Sequence, residues 1–185
     1  PAFLLQWAND SEYRLLSDSL TMNNGEDLTD PAQVPATYLA DLYALGQRAG
    51  ITAAFSLTPA TLHTFLAHPD WFGLSDTTLS LTLLYRFSRY LDWLTLAGRE
   101  DAVLGYLAWV NAAAAPDQTD AAKALAALLD WDSDEVSAAV AGLPGGVAKT
   151  VADVDYVMRL KSLSAESGLS VTPLLAVGAL VPGSV

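Results

Sequence analysis

The sequence predicts an all-α protein, an irregular bundle or stack of helical hairpins with about seven to nine helices. Three observations predict it. Ala and Leu, both strong helix formers, dominate the 185 residues. Apolar residues recur at helical spacing in segment after segment. Strand signals are scarce, and Asn24-Gly25, the turn pair that would close a hairpin, lies in a polar stretch with no alternating run beside it.

The first helix is expected over Ala2 to Leu20, with Leu4, Trp7, Leu15 and Leu16 as its apolar positions and Asn9-Asp10-Ser11 as a point where it breaks in two. Thr21 to Val34 follows as a polar loop long enough to be a mobile surface loop or a site. The next helix runs from Pro35 to Ala49, where Tyr38, Leu39, Leu42 and Leu45 keep helical spacing and Gly50 stands as the terminating glycine. Thr58 caps a further helix that opens on Pro59 and stops at His68-Pro69, because the residue before proline avoids the α region.

Ser75 to Ala97 reads as the longest and clearest helix, with Leu84, Phe87, Leu91 and Leu94 as a seam for a neighbour and Gly98 as its end. Arg99 to Ala115 is next, with Val103, Leu104, Leu107 and Val110 inside. Pro116-Asp117 restarts the chain into Gln118 to Leu129. Asp132 and Glu135 form a capping-box pattern for a helix ending near Gly142, and Pro144-Gly145-Gly146 is the plainest break in the chain. Thr150 and Asp153 repeat the capping pattern for a helix that ends at Gly168, and Thr172-Pro173 opens a last short one. The terminating glycines Gly50, Gly98 and Gly168 are unevenly spaced, which excludes a solenoid of fixed period. We therefore expect residues 1–185 to be one helical segment, with a sub-boundary at the 142–149 turn.

Composition narrows the function. Nine basic against 21 acidic residues give a net charge of −12, which argues against nucleic-acid backbones and anionic membranes as partners. With no cysteine there is no disulfide, thiolate metal site or Cys nucleophile. No apolar run reaches the ~20 residues of a membrane span. Pro1 to Leu5 lacks the basic start and cleavage site of a secretory signal. The start at Pro1 without Met suggests a processed product or an excised fragment, and the tail from Ala179 to Val185 looks like a cut inside a longer chain.

Four groups of residues invite a chemical reading. Pro144 to Thr150 resembles a phosphate-binding loop, in which glycine N–H groups cradle phosphate and Lys149 would neutralise it. Leu143 and Ala148 occupy the two positions that motif needs as glycine, and a helix rather than a strand precedes it. His63, His68 and Asp70 are the only His-rich cluster, but the histidines are five apart and Pro69 breaks the helix between them and any shared ligand point. Asp130, Asp132, Asp134 and Glu135 are rich in calcium-type ligands but lack the correctly placed glycine and distal Glu of a calcium loop, and the loop Asn23 to Asp30 is a weaker calcium candidate whose default reading is a hydrated loop. The acidic group is accounted for by helix capping, and no Gly-x-Ser-x-Gly elbow accompanies the histidines. We expect no catalytic, cofactor-binding or metal-binding residue in this segment. Five tryptophans, at 7, 71, 93, 109 and 131, are read mostly as core; Trp93, on the flank away from the Leu84–Leu91 seam and near Arg86 and Arg89, is expected to face another part of a parent protein.

Several stretches together resemble a known family. Leu84-Tyr85-Arg86-Phe87-Ser88-Arg89-Tyr90-Leu91 leads to Leu94-Thr95-Leu96-Ala97-Gly98. Leu125-Ala126-Ala127-Leu128-Leu129-Asp130-Trp131-Asp132 runs on to Glu135-Val136, and Arg159-Leu160-Lys161-Ser162-Leu163-Ser164 precedes Glu166-Ser167-Gly168-Leu169-Ser170-Val171. These resemble segments of the A subunits of bacterial insecticidal toxin complexes, the Tc toxins, across about half of the chain. The resemblance implies a piece of a large helical shell around a translocation channel, in a homopentamer that works with B and C subunits carrying a toxic enzyme. It implies the remaining domains of the same subunit and a host-cell receptor as partners, and a secreted or cell-surface bacterial toxin as the setting. It carries no functional residue onto a named position. The alternatives are a free-standing α-helical interaction or binding module and an enzyme or binding protein for phosphate ligands that uses Lys149-Thr150.

Overall fold

The computed structural model describes residues 2–8, 36–114 and 116–178. Among these the chain is all-helical, with nine α-helices, two short 3₁₀ turns and no strand. It divides into two compact units, Pro1–Ala67 and His68–Val185.

The first unit holds α1 (Ala2–Ala8), α2 (Ala36–Ala54) and α3 (Pro59–Ala67). Trp7 of α1 is buried edge-on against Phe65 of α3, with ring centroids 5.4 Å apart. Arg48 of α2 donates its Nε to the Trp7 carbonyl at 2.7 Å and lies over the Trp7 ring. One side chain thus ties the end of α1, where carbonyls lack helical partners, to α2. The expected stop at Gly50 is wrong: α2 runs through it to Ala54 and ends at Ser56, whose φ of 49° turns the chain. A mid-helix glycine costs only about 1 kcal/mol relative to alanine. The apolar residues beyond it, down to buried Leu57, outweigh that. Thr58 Oγ1 accepts the Thr61 N–H at 3.1 Å, the cap that the Thr-Pro pair predicts. The rest of the expected first helix and the polar loop to Val34 lie outside the described residues.

The second unit begins with a 3₁₀ turn, Pro69–Phe72, and then α4 (Leu81–Ala97), α5 (Glu100–Val110), α6 (Gln118–Leu129) and α7 (Ser133–Val140). A second 3₁₀ turn, Pro144–Gly146, leads to α8 (Val151–Ser167) and α9 (Val171–Gly178). Helix α4 is its centre and packs on α5, α6 and α8. It starts at Leu81 rather than Ser75, because Asp76 folds the preceding residues into a turn by accepting the Thr78 N–H at 2.8 Å. Ser80 then caps the helix from its side chain. At 17 residues α4 is shorter than the 19-residue α2, so it is not the longest helix described.

The buried stripe of α4 is Leu83, Phe87, Tyr90 and Trp93, one step round from the expected leucine seam. Larger rings bury more apolar area than leucine does, and they take the inward positions. Phe72, Phe87, Tyr90 and Trp93 build the core together with Leu107, Leu125 and Val154.

The helix ends follow local chemistry. Asp117 accepts the Asp120 N–H at 2.8 Å, and Thr150 with Asp153 forms a full capping box. Gly98 ends α4 in the left-handed region at φ 67°, its N–H bonded to the Leu94 carbonyl. Asp130 does the same for α6 at φ 46°, and the carbonyls exposed there accept Lys161 Nζ. The expected box at Asp132 forms only by half. Asp132 accepts the N–H groups of Asp134 and Glu135, but the Glu135 carboxylate turns away and takes the Val171 N–H at 2.7 Å. That bond fastens the first turn of α9 to α7. Glu135→Ala is therefore expected to loosen α9 by about 1–2 kcal/mol, as the loss of a partly exposed charge-assisted bond. Hydrogen exchange of the 171–178 amides should quicken by about 5- to 30-fold while α4 stays protected; unchanged exchange would refute this.

Candidate functional site

The Asp155 carboxylate is the one acidic group with almost no water contact on α8, 1% exposed, and four side chains converge on it. Arg89 Nε donates to one oxygen at 2.5 Å. Tyr85 Oη and Arg159 Nη2 donate to the other, each at 2.9 Å. Arg86 Nη1 stands at 3.9 Å from the same oxygen, with its guanidinium over the Tyr85 ring. Arg89 also reaches Asp92 at 2.6 Å.

The helices explain the convergence. Tyr85, Arg86 and Arg89 share one flank of α4 by their three- and four-residue spacing, and Arg159 lies one turn after Asp155 on α8. A carboxylate this buried needs its lone pairs filled; Arg89, Arg159 and the Tyr85 hydroxyl fill them, and Arg86 adds a third positive charge nearby. Chemically the group is a clamp between α4 and α8. Arg86 and Arg89 stand out in the sequence as neighbours of Trp93, but nothing in the expected pattern marks their partner about 70 residues away.

The phosphate-loop lookalike is also filled from within. Asp153 Oδ2 accepts the N–H groups of both Lys149 and Thr150 at 3.0 Å, so the donors that would meet a phosphate already hold a carboxylate. The Lys149 carbonyl accepts Asn111, and the Ala148 carbonyl accepts Tyr106 Oη at 3.0 Å. The Gly145 carbonyl accepts Gln118. The turn is thereby stitched to α5 and α6.

Tyr106 adds a pH dependence. Burial, and after it the charge of Asp153, push its hydroxyl far above the usual 10.0. The folded chain keeps the phenol protonated, whereas the unfolded chain releases the proton near pH 10. The stabilising effect is thus complete below that pH and is lost as pH rises above it. We expect urea midpoints to fall above about pH 10. Tyr106→Phe should lessen that fall and cost about 1 kcal/mol at neutral pH by stranding the Ala148 carbonyl. Identical alkaline slopes in both chains would refute it.

The histidines go separate ways. His63, on α3, meets Phe3 edge-on at 5.4 Å, and His68 stacks on Trp71 at 3.9 Å, in different units. Among the described residues no group of three or more His, Asp or Glu side chains is gathered to hold a metal. Asp132 and Glu135 spend their carboxylates on backbone N–H groups, Asp130 ends α6 through its backbone, and the loop Asn23 to Asp30 lies outside the described residues. Trp93 is fully buried against Tyr106, with rings 5.8 Å apart, so the outward role expected for it is wrong. Trp109, 40% exposed, is the tryptophan that faces out. It borders a groove of about 510 Å³ between α5 and α6, floored by Ala102, Gly105, Ala124 and Ala127.

Compared with known proteins, the chain matches no family model. It aligns with the toxin subunit YenA1 of Yersinia entomophaga at 27% identity over 196 positions, covering 97% of this chain. The chain is similar to a segment of a toxin subunit. The match supports a Tc-toxin A-subunit segment, the family that the Leu84–Gly98, Leu125–Val136 and Arg159–Val171 stretches resemble. The chain spans 16% of the length of that relative. No described helix is long and apolar enough to cross a membrane.

Proposed function

We propose that this chain is a structural, non-catalytic segment of the helical shell of a Tc-toxin A subunit, part of the device that translocates a toxic enzyme. The observation that carries the proposal is the extent of the match: 97% of the chain aligns with one stretch of a toxin subunit. The chain's own chemistry is in keeping with it. Its buried charge is spent on joining α4 to α8, and its phosphate-loop lookalike is closed by Asp153. In this reading residues 1–185 are one part of a longer polypeptide, with the Pro/Gly turn at 142–149 as a sub-boundary. The parent assembles as a homopentamer with B and C subunits, meets a host-cell receptor through other domains, and works outside the bacterium.

The test is the native mass of the full-length polypeptide that contains this segment. Five copies per particle are expected. A polypeptide that stays a monomer at micromolar concentration would overturn the shell reading and favour a free-standing interaction module.

A further inference from the structure

We draw no further inference here: the strongest candidate, the exposed patch of Leu81 and Tyr85 on α4 with Arg159 and Leu163 on α8, carries nothing, because its arginine belongs to the Asp155 clamp already described and nothing in the structure shows what covers its apolar side chains.

Discussion

An Asp155→Ala chain is expected to unfold about 3 kcal/mol more easily than the original, read as a lower urea midpoint at unchanged slope. The carboxylate is the hub of the clamp, and its removal strands several partners at once. Arg86 and Arg89 are about a fifth and a quarter exposed, so they cannot rehydrate fully where they stand. Arg159, 60% exposed, can swing into water. That relief holds the expected cost to the lower end of the range for breaking a buried pair. The same reasoning orders the single variants. Arg89→Met should cost less than Asp155→Ala, because Tyr85 and Arg159 still serve the carboxylate. Arg159→Met should cost at most about 0.5 kcal/mol, the usual worth of an exposed helical pair. The loss in Asp155→Ala should change little with salt, since the ion lies beyond the reach of screening. A cost below about 1 kcal/mol, or equal costs for Arg159→Met and Asp155→Ala, would refute the clamp.

The helices and most of their ends were legible because they depend on neighbours in sequence. Asp117, Thr150 with Asp153, and Gly98 each act on groups three or four residues away, and each stands where the pattern put it. The failures share the opposite property. Gly50 looks like a stop only if the residues after it have nowhere to pack, and Leu57 shows that they do. Glu135 fits a capping box by spacing, but an acceptor serves whichever donor arrives, and Val171 arrives from 36 residues on. Asp155 draws no reading in the sequence, where the one charged residue a helical turn away is Arg159. Its burial depends on Tyr85 and Arg89 from α4, a pairing 66 to 70 residues apart that periodicity cannot reveal. The rotation of α4 has the same origin. Phe87 belongs to both the expected and the observed stripe, and only the packing against α5 and α8 decides whether Leu84 or Leu83 accompanies it inward.

Trp93 turns that rotation into the second large expected effect. Trp93→Ala should cost about 3–5 kcal/mol, as truncations of fully buried rings do. The ring is 0% exposed and packs edge-on, at 86°, against Tyr106. Tyr106 in turn holds the Ala148 carbonyl, so the cavity would open beside the bond that fixes the Pro/Gly turn. The two sites should couple: Trp93→Ala and Tyr106→Phe together should depart from the sum of the single costs by at least about 0.5 kcal/mol. Trp93→Phe should cost less than the lost ring area alone suggests. Among the described residues Trp93 Nε1 is buried without a hydrogen-bond partner, and phenylalanine removes that donor along with its desolvation cost. Trp109→Ala in the 185-residue chain should cost well under what Trp93→Ala costs, because 40% of the Trp109 side chain already lies in water. The contrast separates the two arrangements of α4. With Trp93 facing outward, as its flank position in sequence suggested, Trp93→Ala and Trp109→Ala would cost alike; with the observed burial they should differ by at least about 2 kcal/mol.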